Sequence, residues 1–407
     1  MQKSRLRRYA RLIARKGVNV QKGQDVIVNT GLEQGEFVAL VTDELYKAGA
    51  RKVFVKFNYQ PLEKYHVRHR SLEALSTVES FEEEEVKYIS EHLCARLALV
   101  TADPDALKGV DMEKMAKGRR ARGAVTGKYS AQLGGKSQWS VAAVPGKAWA
   151  KLVFPKERVG KAVEMLWDAI LSAARVDDDP VAAWEAHNAD IVGRNQYLTE
   201  LNIEELEYHA SNGTNLRIGL IEGCRFCGGG ESTDKGVYYH PNVPTEESFT
   251  TPHREKVNGI LYSSKPLVFQ GNVIDNFYFR FEQGKIVEAH AEQNNEALQR
   301  MISTDEGASY LGECALVPFD SPINQTGLLF YNTLFDENAC CHMALGRGFK
   351  SALPGREGLT KDELKELGMN QSGIHVDFMI GTADLSVIAH CRDGRTVEIF
   401  KDGTWAF

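Results

Sequence analysis

The segment Ile374-His375-Val376-Asp377 places an imidazole and a carboxylate two positions apart inside an apolar run that is typical of a strand. Side chains at positions i and i+2 of a strand point to the same face, so His375 and Asp377 converge on one point. Such a pair serves as a structural polar group, as part of a catalytic triad, or as two metal ligands. Because the sequence has no G-x-S-x-G nucleophile elbow, metal ligation is the favoured interpretation.

Other acidic and histidine side chains occur where polar groups are unexpected. Glu246 and Glu247 are adjacent in a proline-flanked loop, Glu313 opens an apolar strand, and His342 stands among small and apolar residues. Each has a simple explanation by itself: a solvated turn, an exposed strand end and a buried structural histidine. One of the two adjacent glutamates, together with Glu313, His342, His375 and Asp377, gives a set of three carboxylates and two imidazoles. This donor set suits Zn²⁺, Co²⁺ or Mn²⁺ rather than Ca²⁺.

The size of the donor set predicts two ions. A single catalytic zinc takes about three protein ligands, whereas sites with more ligands hold two ions about 3.5–4 Å apart, as in two-metal hydrolases. Ions of this kind lower the pKa of water toward neutrality. The residues alone leave open which of Glu246 and Glu247 binds metal and which relays the proton.

The first half of the chain alternates strands and helices. Residues 25–29 and 52–57 have the pattern of strands, and residues 33–48 between them have apolar positions at helical spacing. A β-α-β unit of this kind predicts a parallel sheet and an α/β fold. Further predicted elements are strands at 97–101 and 140–144 and helices at 160–174 and 181–209.

The second half contains consecutive strands. Residues 277–281 and 285–289 are separated by the turn Glu282-Gln283-Gly284, which is a hairpin pattern, and residues 216–221 and 259–262 are also strand-like. The change of pattern predicts a second domain of the α+β class with largely antiparallel strands. The predicted domains are 1–195, an N-terminal α/β domain, and 196–407, a C-terminal domain carrying the metal site.

Composition and charge bound the class of protein. The 407 residues are 43% hydrophobic and 26% charged, with a formal net charge of −6, which predicts a soluble protein with no nucleic-acid partner and no membrane partner. The basic N-terminal stretch has apolar residues at helical spacing, which favours a packed first helix over a transit peptide. The seven cysteines are scattered, which does not suggest a disulfide framework, and the cytoplasm is the expected location.

Two motif-like features carry less weight. Cys224 and Cys227 form a lone C-x-x-C without the second pair that a structural zinc site needs. The glycines at 228–230 are not followed by the Lys-Ser or Lys-Thr of a phosphate-binding loop, so they predict a tight turn.

The stretches Pro244-Thr-Glu-Glu, Tyr331-Asn-Thr-Leu-Phe-Asp-Glu-Asn and His375-Val-Asp-Phe-Met-Ile-Gly resemble those of a known family. That family is the metal-dependent aminopeptidases that include aminopeptidases T and S, and the resemblance covers nearly the whole chain. It implies hydrolysis of peptides at the N-terminus, a homodimer, and two divalent ions per chain, with Zn, Co, Mn or Mg as candidates. It implies the metal ligands Glu247, Glu313, His342, His375 and Asp377, and it leaves Glu246 as the catalytic acid or base.

The chain departs from this family at Phe349, where the family commonly has a tyrosine that aids the transition state. A phenyl ring cannot donate a hydrogen bond to a developing oxyanion, and loss of one such donor typically costs ~10²–10³ in rate. Arg347 is a candidate replacement donor. Two alternatives therefore accompany the aminopeptidase interpretation: another two-metal hydrolase acting on an amide or phosphoester, and a metal-binding homologue with weak catalysis.

Overall fold

The computed structural model describes residues 3–101, 106–356 and 358–407. The chain forms two compact units. The first comprises residues 1–185 and 230–244, and the second comprises 186–229 and 245–407. The division into domains after residue 195 stays a prediction.

The helices begin and end as follows. They are α1 (Lys3–Leu12), α2 (Gly35–Ala48), α3 (Glu63–His69), α4 (Leu72–Ser76), α5 (Ser80–Glu91), α6 (Met112–Leu133), α7 (Lys147–Val153), α8 (Val159–Ala173), α9 (Pro180–Glu200), α10 (Asn295–Ile302), α11 (Pro322–Gln325), α12 (Thr333–Asp336) and α13 (Lys361–Glu366).

The strands follow the same chain order. They are β1 (Asp25–Gly31), β2 (Lys52–Asn58), β3 (Ala95–Val100), β4 (Trp139–Ala143), β5 (Ile203–His209), β6 (Asn215–Leu220), β7 (Glu231–Ser232), β8 (Tyr238–Tyr239), β9 (Asn242–Val243), β10 (Ser248–Thr250), β11 (Pro252–Tyr262), β12 (Leu267–Phe269), β13 (Asn272–Glu282), β14 (Lys285–Gln293), β15 (Leu311–Leu316), β16 (His342–Gly346), β17 (His375–Met379), β18 (Ser386–Cys391), β19 (Thr396–Lys401) and β20 (Thr404–Trp405).

The first unit is built on a parallel sheet with the order β2-β1-β3-β4-β9. The helix α2 connects β1 to β2, buries an apolar face that includes Phe37 and Val41, and is capped by Gly49, whose φ of 118° is left-handed. The N-terminal helix α1 buries Tyr9 and Leu12, so the basic stretch is part of the folded unit. The predicted parallel α/β arrangement of the first half is confirmed.

The second unit contains antiparallel sheets. One has the order β10-β15-β16-β17, and the other runs β12-β13-β11-β6-β5-β18-β19-β20, with β14 paired to β13. The rings of Phe277 and Phe279 on β13 lie 5.8 and 5.3 Å from the ring of Phe378 on β17, so the core includes residues of both sheets. The hairpin between β13 and β14 turns at Gln283 and Gly284, both with positive φ. The predicted antiparallel character of the second half is confirmed.

The helix predicted over 181–209 is wrong in its last part. The helix α9 ends at Glu200, Asn202 takes a left-handed φ of 48°, and the chain continues as β5. In β5 the buried residues Leu206 and Tyr208 are two positions apart, which is the strand period. The acidic residues of this segment suit a helix by propensity, but pairing with β6 and β18 determines its structure.

No helix within the described ranges combines the length and the apolar character needed to span a membrane.

Candidate metal centre

Three neighbouring strands bring four of the predicted ligands onto one face of a sheet. In the register of β15, β16 and β17, Ala344 lies opposite both Glu313 and Asp377. Directly opposite residues of antiparallel strands share a face. His342 and His375 are each two positions before a member of this row, so they share it as well. Ala344, whose side chain is a single methyl group, is fully buried between the two carboxylates.

The fifth predicted ligand, Glu247, comes from the segment that leads into β10. Strand β10 pairs with β15, with Ser248 opposite Leu316, and this pairing carries Glu247 to the end of the sheet beside His342. Glu247 is 9% exposed. The proline-flanked glutamate pair therefore lies in irregular backbone, as the sequence indicated, but it is buried instead of solvated.

The five side chains form two clusters that share one residue. His375 Nε2 lies 3.0 Å from Glu313 Oε2 and 3.1 Å from Asp377 Oδ1, and His342 Nε2 lies 3.3 Å from Glu247 Oε2. Glu313 joins Glu247 and His342 in one cluster, and it joins His375 and Asp377 in the other. Within each cluster the nitrogen and oxygen atoms that could bind an ion lie within 4.8 Å of one another.

The ring of His375 is oriented by the backbone. Its Nδ1 lies 2.7 Å from the carbonyl oxygen of Arg347, so Nδ1 carries the proton and donates it to that carbonyl. The Nε2 atom then faces Glu313 and Asp377. Histidines that bind metals usually donate their second ring N–H to a carbonyl or carboxylate in this manner.

Burial and mutual charge perturb the groups of the two clusters. Burial raises the pKa of Glu313 to about 7; the hydrogen bond from His375 opposes this rise, and the charges of Glu247 and Asp377 add to it. Burial lowers the pKa values of both histidines, but the neighbouring carboxylates reverse this and raise that of His342 to about 9 and that of His375 to about 11. The clusters therefore have excess negative charge, which a cation would compensate.

Glu246, the predicted catalytic acid or base, is adjacent to the clusters in sequence and is 4% exposed. Its backbone N–H donates to Asn338 Oδ1 at 2.7 Å. Its carboxylate Oε2 lies 3.6 Å from Nε2 of His187, a residue of α9. Neither Asn338 nor His187 was singled out from the sequence.

Glu337 is a further acidic residue of the site that sequence analysis missed. It follows α12, and its pKa is raised well above the usual range by burial and by the charges of Asp377, Glu247 and Glu313. Asn338 Nδ2 lies 3.3 Å from Glu337 Oε1. The only sequence signal for Glu337 was the polar run Asp336-Glu337-Asn338 shortly before His342, and such a run by itself is common on exposed turns.

Phe349 lies at the metal centre. Its ring is 4.7 Å from the ring of His375 in an edge-to-face arrangement and 5.2 Å from the ring of Phe249. Its backbone is fixed by Thr251, whose hydroxyl accepts from the Phe349 N–H at 2.9 Å. The residue that replaces the expected tyrosine is therefore positioned beside a candidate ligand.

The segment with the C-x-x-C motif supports the site through its backbone. Cys227 exchanges backbone hydrogen bonds of 2.8 Å with Phe249 on β10. Gly228 follows with a φ of 142°, and a Cβ atom there would lie 2.1 Å from the carbonyl oxygen of Glu247. The seven cysteines form no disulfide bond within the described part of the chain. Gly228 thus allows close approach to the glutamate segment.

The whole chain is similar in sequence and in fold to known metalloproteases. The sequence model of the family described as "thermophilic metalloprotease (M29)" matches residues 2 to 405. Aminopeptidase 2 of Geobacillus stearothermophilus is 39% identical over 99% of this chain and 98% of its own length, and aminopeptidase T of Thermus thermophilus is 38% identical with the same coverage. The solved structure of wild-type AmpT from Thermus thermophilus superposes with a TM-score of 0.92 at 36% identity, covering all of both chains. The chain therefore belongs to the thermophilic metalloprotease family M29 and is a peptide hydrolase.

Proposed function

We propose that the chain is an aminopeptidase that works with two divalent ions, one at each of the two clusters. The observation that carries this proposal is the pair of three-residue clusters that share Glu313. A shared carboxylate between two sets of oxygen and nitrogen donors is an arrangement that suits two nearby ions. The likeness to the aminopeptidases named above supports N-terminal peptides as the substrates.

The donor set fits divalent ions such as Zn, Co, Mn or Mg. Buried carboxylates without compensating charge are costly, and the raised pKa of Glu313 reflects that cost. Glu247, His342, His375 and Asp377 would complete the two sites, and the half-buried Glu337 adds a further carboxyl group that interacts electrostatically with Asp377, Glu247 and Glu313. Divalent ions held there would supply Lewis-acid chemistry, activating water and polarising the peptide carbonyl.

Glu246 is the proposed proton carrier. Its carboxyl group is buried, lies next to the ligand Glu247 in the chain and is absent from both clusters found among the described residues. A carboxylate in this position accepts a proton from water during attack and returns it to the leaving amine. His375 holds its ring by donating to the Arg347 carbonyl, so the residues around the reacting groups are preorganised.

Three finer statements rest on the family resemblance and on composition. We propose a homodimer, a cytoplasmic location and zinc or cobalt as the working metals. The scattered cysteines, which form no disulfide within the described ranges, are consistent with a reducing compartment.

The decisive experiment is hydrolysis of leucine p-nitroanilide by the purified protein before chelation, after chelation and after addition of Co²⁺ or Zn²⁺. We expect activity that is lost with the chelator and restored by metal. N-acetyl-leucine p-nitroanilide is the control, since an aminopeptidase requires a free amino group. Hydrolysis of the acetylated substrate or of p-nitrophenyl phosphate, with none of the leucine substrate, would instead support the amide or phosphoester alternative.

A further inference from the structure

The peptide unit that joins Thr245 to Glu246, just before the candidate ligand Glu247, is held at both of its polar ends by buried side chains. The carbonyl oxygen of Thr245 lies 2.8 Å from His187 Nε2, and the N–H of the next residue, Glu246, donates to Asn338 Oδ1 at 2.7 Å. Thr245 and Glu246 are 3% and 4% exposed, His187 is 7% exposed and Asn338 is fully buried. The Thr245–Glu246 peptide plane is therefore fixed by two side chains from distant parts of the chain.

The chemistry of each side chain determines its role in this contact. His187 Nε2 must carry a proton to donate to the Thr245 carbonyl. Asn338 Nδ2 lies 3.1 Å from the Leu334 carbonyl and 3.3 Å from Glu337 Oε1, so the amide nitrogen faces two acceptors. The opposite atom, Oδ1, is thus the one that accepts from Glu246, and the hydrogen bonds fix the orientation of the amide.

Glu247, by contrast, is held by the sheet. It directly precedes β10, which pairs with β15, and Gly228 packs against its carbonyl oxygen. Phe249, two positions after Glu247 on β10, forms two backbone hydrogen bonds with Cys227. Glu246 lies before the strand, and the contacts of His187 and Asn338 with the Thr245–Glu246 peptide unit hold its backbone there.

We propose that His187 and Asn338 are positioning residues that act as a clamp on the Thr245–Glu246 peptide unit and aim the Glu246 carboxyl group at the reacting water. This inference rests on the proposed function, in which Glu246 carries the proton. Proton transfer needs the carrier within hydrogen-bond reach of its partner. A shift of about 1 Å in such a group can cost about 10²-fold in rate.

The test compares variants that remove or retain one arm of the clamp. His187→Leu removes the donor, His187→Gln retains an N–H donor of similar reach, and Asn338→Leu removes the acceptor for the Glu246 N–H. Hydrogen–deuterium exchange of the peptide covering residues 242–250 is measured in the metal-free proteins. The peptide covering β13 is the internal control, and kcat and KM for leucine p-nitroanilide are measured in the cobalt-loaded proteins.

We expect exchange in 242–250 to be about tenfold faster in both Leu variants, with β13 unchanged. The expected kcat falls about 10–100-fold with KM nearly constant, and His187→Gln recovers most of both losses. Because both arms hold one peptide unit, the double Leu variant loses less than the product of the single losses.

Unchanged exchange in His187→Leu overturns the clamp, and faster exchange with unchanged kcat overturns its role in positioning Glu246. If Asn338→Leu does not fold, the His187 pair alone decides between these outcomes. A wild-type protein that hydrolyses no leucine substrate with either metal overturns the proposed function, and with it the positioning role, while the exchange data still decide whether the clamp exists.

Discussion

Glu313 is the residue on which both candidate metal sites depend. It is the one side chain that belongs to both clusters found within the described ranges, and it is almost fully buried. The usual alternative for a buried glutamate is a structural ion pair. Here, however, its contact with His375 is accompanied by two further carboxylates, Glu247 and Asp377, which raise its pKa and make a purely structural pairing unfavourable.

Glu313→Gln is expected to abolish binding of both ions, because it keeps the shape of the side chain and removes its charge. Asp377→Asn alters one cluster and is expected to leave about one ion per chain. Hydrolysis should fall by at least ~10³-fold in Glu313→Gln. Metal content after dialysis, measured with p-nitroanilide hydrolysis, checks this, and Glu306→Gln at an exposed carboxylate is the control. Two ions retained by Glu313→Gln would contradict the shared-ligand assignment.

The variant Phe349→Tyr tests a second single residue, the one at which the chain departs from the tyrosine that is common in its family. The Phe349 ring lies beside His375, so a hydroxyl on it would be close to the metal centre. We expect kcat to rise about tenfold, and by no more than ~10²-fold, through an added hydrogen-bond donor to the transition state. Phe249→Tyr places the same hydroxyl on the neighbouring ring and should not raise kcat. An unchanged kcat in Phe349→Tyr would show that the metals and other donors suffice.

At the scale of elements, the antiparallel sheet explains why residues from distant segments meet. Ala344 lies in one row with Glu313 and Asp377 across β15, β16 and β17, and the two histidines precede this row by two positions. The strand period therefore accounts for the shared face once the register is known. The small side chain in the middle of the row would leave room for the two proposed ions.

Ala344→Leu is expected to fill that space and to block metal binding, while Ala344→Ser should retain both ions because serine is nearly as small. Overpacking of a buried position typically costs about 1–3 kcal/mol, so the variant should still fold. Metal content and thermal unfolding of the metal-free proteins distinguish loss of the site from loss of the fold. An Ala344→Leu protein with both ions bound would show that the row does not form the floor of the site.

The sequence predicted what local patterns determine. The β-α-β start, the hairpin at 283–284 and the convergence of His375 with Asp377 follow from periodicity and turn residues. Long-range pairing determined the rest. The end of α9 gives way to β5 because two neighbouring strands pair with that segment. The contact of His187 with Thr245 joins positions 58 residues apart, which no local pattern indicates.

At the scale of the whole molecule, the ionisable groups of the metal centre make the stability of the metal-free fold depend on pH. The folded-state pKa values of Glu313, His342 and His375 are about 7, 9 and 11, all above their ordinary values of 4.5, 6.5 and 6.5. A group with a raised folded-state pKa stabilises the fold fully below its ordinary pKa, and this contribution is lost as the pH rises through the folded value. Asp377 has a lowered pKa, and its contribution is lost only in acid.

The metal-free protein is therefore expected to lose thermal stability between pH 6 and pH 9, because in this range the folded state keeps protons on Glu313, His342 and His375 that the unfolded chain releases at lower pH. The slope is about 1.4 kcal/mol per pH unit for each proton that the folded state binds and the unfolded state does not. Ions bind the deprotonated groups, so the cobalt-loaded protein should show a much flatter profile, and the gain in Tm on metal binding should grow with pH.

Calorimetric unfolding at pH 6, 7.5 and 9, with chelator or with cobalt, measures both profiles. Glu313→Gln is the matched variant, since it should flatten the metal-free profile between pH 6 and 7. A metal-free Tm that stays constant across this range would contradict the charge balance inferred for the two clusters.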